Sequence, residues 1–158
     1  MSDEIRERRC REAAMLALSI KQPWAMLIVG GEKSIEVRKW KGCPQHVIGQ
    51  EIAIHTGRKI DDSAPQEVRK RAFQVSGAWQ GQTGGIIGRA TLVDVLRFTM
   101  SSFEDLYEDH LNPPAWFEHG LIGLQFISPV RFPEMIPYRG QLGFFDVPDG
   151  MLQAGAQA

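Results

Sequence analysis

The sequence predicts an α+β fold, a small β-barrel with two or three short helices packed around it. Short apolar runs recur between turn-forming segments, the pattern of successive strands. Two stretches carry proline at their start, as short helices do. The longest strand candidate contains Gly88, which gives the bend a tightly closing sheet needs. A chain of 158 residues, 43% hydrophobic, suffices for one domain with its own core.

The elements follow in order. Residues 1–14 carry four acidic and four basic side chains and read as a charged leader, either a solvated helix or disordered. The domain spans residues 15–148. It opens with the buried strand Met15 to Ile20. Pro23 fits the first position of a two-turn helix that Gly30 and Gly31 stop. Lys33 to Trp40 alternates polar and apolar side chains, so Ser34, Glu36 and Arg38 share one strand face. Glu51 to His55 is a third strand. Asp62 or Ser63 caps a helix from about Ala64 to Val75. Residues 77–85 hold four glycines and Trp79, an irregular loop in which Trp79 reads as a mobile lid residue. Ile86 to Phe98 is a strand, Ser102 caps a helix that Asn112-Pro113-Pro114 ends, and Leu121 to Ile127 and Leu142 to Val147 are the last strands. Residues 149–158 read as a flexible tail.

Composition excludes several classes. The net charge of -1 does not support tracking of a long duplex by charge alone. Cys10 and Cys43 have no disulfide framework around them, and four scattered histidines offer no metal spacing, so neither a metal nor a cofactor is expected. With no signal-like apolar stretch at the start and no membrane span, a cytoplasmic location is expected.

One segment carries a recognisable pattern. Leu18 to Ala25, followed by Gly31-Glu32-Lys33-Ser34-Ile35-Glu36-Val37-Arg38, resembles the signature of the ASCH domain (activating signal cointegrator homology) in the PUA-like superfamily. The family motif Gly-x-Lys-x-x-Glu-x-Arg is matched at Gly31, Lys33, Glu36 and Arg38. Further blocks resemble the family at Ile54 to Gly57, Gly88 to Val95 and Pro137 to Gly143. The resemblance implies a PUA-like barrel with a cleft beside the first helix, used for RNA or nucleosides. Members include a nucleic-acid-binding module of the signal cointegrator, small amidohydrolases of N-acetylcytidine, and nucleases. In those amidohydrolases a threonine proposed as nucleophile stands at the position of Glu36, activated by the lysine that matches Lys33. A third catalytic glutamate falls in the region of Glu104 and Glu108.

The chemistry of these residues supports two readings. In the first, the domain binds RNA or a modified nucleoside through Lys33, Glu36 and Arg38. Arg38 suits bidentate recognition of a phosphate or base edge, and Lys33 supplies a point charge. Trp24 and Trp79 offer surfaces for base stacking, while His55, Thr56, Arg58 and Lys59 lie at a strand end suited to phosphate. Residues 31–59 carry six Lys/Arg against three Glu, and residues 101–119 carry five acids and no Lys/Arg, which gives one basic face for short single strands. In the second reading the protein is a small hydrolase, acting on acetylated cytidine or RNA. Lys33, Glu36 and Ser34 are then the catalytic candidates, with Glu36 as general base to water in place of the missing threonine. A third possibility is an interaction domain that kept the barrel and lost the ligand. The sequence leaves the oligomeric state open.

Overall fold

The computed structural model describes residues 2–5 and 14–152 of the chain. Most of the charged leader, Cys10 included, and the end of the tail lie outside them. Six strands, β1 (Ala14–Ile20), β2 (Ile35–Arg38), β3 (Glu51–Thr56), β4 (Gly85–Arg97), β5 (Ile122–Pro137) and β6 (Phe144–Pro148), form one sheet in the order β2-β5-β4-β3-β1-β6. Four short helices lie between its strands: α1 (Trp24–Val29), α2 (Gln66–Val75), α3 (Met100–Asp105) and α4 (Tyr107–His110). The β1–β3 pair is parallel and the other pairs are antiparallel.

The sheet is curled but not closed, which corrects the expected barrel. The edge strands β2 and β6 hold only four and five residues and form no ladder with each other. Side chains bridge the gap instead. Arg38 on β2 donates to the carbonyl of Ser19 on β1 at 2.7 Å, and Trp40 meets Phe144 of β6 edge-on at 5.7 Å. The curl comes from β4 and β5, whose pairing shifts register three times; each irregularity bends a strand and tightens its twist. Gly88 sits at one of them. A Cβ there would lie 2.2 Å from the Val130 carbonyl and 2.7 Å from Val29, so only glycine lets β5 and α1 come this close.

All six residues of α1 are buried, as a helix with no polar face must be. It packs against the concave face of the sheet, among Leu18, Ile20, Ile52, Ile54 and Phe126. Gln22 serves its first turn, its side-chain oxygen accepting from the Met26 N–H at 2.9 Å. The alternate residues Ala17, Ala53, Ile86, Phe145 and Val147 form a second cluster on the opposite face. Residues 149–152 are helical, and Leu152 is buried in that second cluster, so the expected flexible tail begins with an anchored turn.

Three local expectations are corrected as well. Thr99, not Ser102, caps α3; Ser102 is its partner three residues on, and the two form a reciprocal capping box. Strand β5 runs ten residues beyond Ile127. Pro129, Pro133 and the left-handed backbone of Ser128 (φ 52°) disguise it, because such features usually end a strand. Trp79 is 3% exposed, packed in the main core and not on a mobile lid. Among the described residues no helix is long and apolar enough to cross a membrane.

Candidate functional site

The open seam of the sheet is a cleft of about 500 Å³. Glu36, Val37 and Arg38 of β2 form one wall; Ser19 and Lys21, at the end of β1, face them. Trp24 and Trp116 lie at one end, edge to face with ring centroids 6.0 Å apart. Arg58 and Lys59, just past β3, stand at the lip and are exposed. The loop Gln141 to Gly143 covers the remaining side, and Leu142 there is 99% exposed.

Alternation along β2 brings Glu36 and Arg38 to this cleft together. The guanidinium of Arg38 donates through Nη2 to Glu36 Oε2 at 3.2 Å as well as to the Ser19 carbonyl. Ser34 lies just before the strand and does not line the cleft. Its hydroxyl donates to Asp109 of α4 at 3.3 Å.

Lys33 is the unexpected member of the motif. Its side chain is fully buried beneath the cleft floor, where Nζ donates to the carbonyls of Ile35 and His110, both at 2.6 Å. The ammonium lies 3.7 Å from Glu36 Oε1 and 5.1 Å from the Trp24 ring centroid. Burial lowers its pKa to about 8, against the raising effect of the Glu36 carboxylate. Lys33 therefore supports Glu36 from below and presents no donor to the cleft surface.

The other predicted residues divide. His55 is buried, with Nδ1 3.0 Å from the Ser19 hydroxyl and Nε2 2.7 Å from the Tyr138 carbonyl. A carbonyl only accepts, so Nε2 carries the proton and Nδ1 accepts from Ser19. Burial holds the His55 pKa below its ordinary value. Thr56 is spent on structure: its hydroxyl donates to the Gly85 carbonyl at 3.1 Å. Trp24 is mostly buried, and its indole N–H donates to Asp61 at 2.8 Å. Desolvation pushes the Asp61 carboxyl up, but hydrogen bonds from Ser63 and Trp24 outweigh it and hold the pKa below the usual value. Trp79 does not reach the cleft, and neither Glu104 of α3 nor Glu108 of α4 lines it; both are exposed, and Glu108 pairs with Arg71.

Sequence reasoning missed Ser19, Asp61, Asn112 and Leu142 as cleft residues. Ser19 stood inside the recognised block, yet it read only as a strand residue. Asn112 stood in the run that ends α4 and was read as a helix stop. Nothing in the pattern near Leu142 announces that its side chain faces solvent. Among the described residues no cluster of three or more His, Cys, Asp or Glu side chains is arranged to hold a metal ion.

The family model described as "ASCH domain" matches residues 18–137, more than half of the chain. No curated protein matches the sequence significantly. Among solved structures, the fold is similar to that of an ASCH protein from Zymomonas mobilis. The TM-score is 0.59 and the identity 11%, over 88% of this chain and 91% of that one. A serine-to-alanine variant of the same Zymomonas mobilis protein gives a TM-score of 0.57 at 12% identity, covering 90% and 94%. At such identities the likeness concerns the fold alone.

Proposed function

The chain belongs to the ASCH domain family, and from that premise we propose that it binds RNA or a modified nucleoside in the cleft beside Glu36 and Arg38. Its place of action on this reading is the cytoplasm. One observation carries the proposal: a carboxylate and a guanidinium, fixed against each other, occupy the wall of a cleft with an aromatic end and a basic lip. Such a pair offers an acceptor and donors together, as recognition of a base edge requires. The exposed part of Trp116, with Trp24 behind it, suits base stacking, which is worth about 1–3 kcal/mol per base. Lys21, Arg58 and Lys59 suit phosphate. Lys33 acts through Glu36, holding the carboxylate in place from below.

A hydrolytic reading rests on Glu36 Oε1, which takes no hydrogen bond from any described residue and stands beside an ammonium. Glu36 would then be general base to a water that attacks an acyl or phosphoryl centre, and the proton would pass from that water to the carboxylate. Two features weigh against it. Lys33 is sealed below the floor, and Ser34 is turned toward Asp109.

The test is a thermal-shift and mass-spectrometric screen of the full chain against modified and unmodified nucleosides and short single-stranded RNA. Ligand-dependent stabilisation without product, abolished in Glu36→Gln, is the expected result. Product formation that Glu36→Gln removes would make the protein a hydrolase. No stabilisation and no product would end both readings.

A further inference from the structure

A second cleft of about 580 Å³ continues from the first around the Ser19 end of β1. The two share Ser19, Gly57, Arg58, Gln141 and Leu142, so Arg58 stands at the divide and belongs to both. Either volume alone lies within the range of small-ligand sites, which runs from about 300 to 1,000 Å³. The second cleft adds His55, Tyr138 and Arg139, and its lining includes no carboxylate.

Cations gather along these clefts: Lys21, Arg58 and Lys59 line the first, and Arg58 and Arg139 the second. Several cations elsewhere are matched, Lys39 with Glu118, Arg71 with Glu32 and Glu108, and Arg89 with Glu51, while the exposed Lys41, Lys70, Arg97 and Arg131 form no ion pair among the described residues and stand apart from one another in sequence. Among the described residues Arg58, Lys59 and Arg139 form no ion pair. Three cations left unmatched along one continuous groove are a place for an anion, and their succession favours a chain of anions over a single one.

The wall carrying Arg139 is preformed. His55 holds the Tyr138 carbonyl, and Tyr138 stacks on Phe145 with ring planes 12° apart. Gly140 lies flat on the imidazole, where a Cβ would come within 2.5 Å of the ring. Arg139 is thus fixed between two anchored neighbours, and less order has to be created on binding than for a free loop.

We propose that the two clefts are successive nucleotide subsites and that the ligand is single-stranded RNA of at least two nucleotides, not a free nucleoside. The first cleft takes a base against Glu36 and Arg38, the linking phosphate lies at Arg58, and the following nucleotide runs past Tyr138 with its phosphate at Arg139. This assignment rests on the proposed RNA- or nucleoside-binding role of the first cleft.

The experiment is a length series measured by intrinsic tryptophan fluorescence and calorimetry: nucleoside, 5′-mononucleotide, dinucleotide and tetranucleotide, at two salt concentrations. Affinity should rise about tenfold or more from nucleoside to dinucleotide, the factor that about 1.4 kcal/mol supplies. The affinity should weaken with salt by about 0.7 log units per log unit for each phosphate held. In Arg139→Ala and Arg139→Glu the ratio of dinucleotide to nucleoside affinity should collapse toward one. Melting curves of both variants check that they remain folded. A dinucleotide that binds no better than a nucleoside, or a ratio unchanged in both variants, overturns the two-subsite assignment and leaves the first cleft standing. Absence of binding by every member of the series overturns both.

Discussion

Arg38 and Ser19 join the two sides of an open seam: the guanidinium on the edge strand β2 donates to the Ser19 carbonyl on β1 at 2.7 Å. The same nitrogen holds Glu36, while the Ser19 hydroxyl bonds His55, which in turn holds Tyr138. Glu36, Arg38, Ser19, His55 and Tyr138 are thus one connected line of polar contacts around the cleft. The fold leaves the seam without backbone pairing, and this line replaces the missing ladder with groups that also line the two clefts.

Arg38→Lys should therefore affect stability and binding together. A Lys ammonium is more strongly hydrated and sits on a shorter, more flexible stem, so it does not replace the preorganised Nη2 that donates to both the Ser19 carbonyl and the Glu36 carboxylate. Hydrogen bonds to charged groups are worth about 1.5–3 kcal/mol each, and Arg38 is only partly exposed, so a loss of about that size is expected in urea unfolding. A substitution that left the unfolding midpoint unchanged would show that the seam is held by other contacts, with Trp40 and Phe144 the first to consider.

Lys33→Met should destabilise by about 3–5 kcal/mol, because it leaves two buried carbonyls without their donor and the Glu36 carboxylate without the ammonium beside it while the stem volume is kept. The pH dependence is specific. The folded pKa is about 8, below the ordinary 10.5, so between those values the unfolded chain binds more protons than the folded one. Stability from this group is therefore lowest below pH 8 and rises as pH climbs toward 10.5. The difference in unfolding free energy between wild type and Lys33→Met should grow across that window. A constant difference would mean that Lys33 titrates normally despite its burial.

Much of this architecture was legible in the sequence. Periodicity gave β1, β3, β4 and the faces of β2, because each packs one or both faces against apolar neighbours and the pattern records it. What stayed hidden depends on partners far along the chain. Lys33 reads as a surface cation, and its burial depends on the His110 carbonyl, 77 residues away, together with the Ile35 carbonyl and the Glu36 carboxylate. Strand β5 is exposed from Ile127 to Arg131 and contains prolines, so no apolar alternation marks its continuation. Seam closure by side chains has no local signature at all.

Trp79 shows how glycine content misleads. Trp79→Ala should cost about 3–5 kcal/mol, the range for a large aromatic removed from a core, and should leave the affinity per folded molecule unchanged. A lid residue would behave in the opposite way. Chemical denaturation and ligand titration of the same variant separate the two.

Acid sensitivity should trace to His110 more than to His55. Burial lowers the pKa of both imidazoles, so below the ordinary value of 6.5 the unfolded state binds more protons, and stability is lost as pH falls through that value toward the folded pKa. The two sites differ in what a second ring proton would meet. At His55, Nδ1 faces the Ser19 hydroxyl, which can rotate to accept. At His110, Nε2 donates to the Phe103 carbonyl and Nδ1 accepts from the Asn112 N–H at 2.9 Å, so a proton on Nδ1 would face another donor. The imidazole is also fully buried, stacked on Phe103 at 4.2 Å. Unfolding free energy measured from pH 7.5 to 5.5 should fall, and His110→Gln, whose amide both donates and accepts, should flatten that fall more than His55→Gln does. An imidazole of His110 that titrates at or above 6.5 by NMR in the folded protein would contradict this, because it would remove the proton difference from which the slope arises.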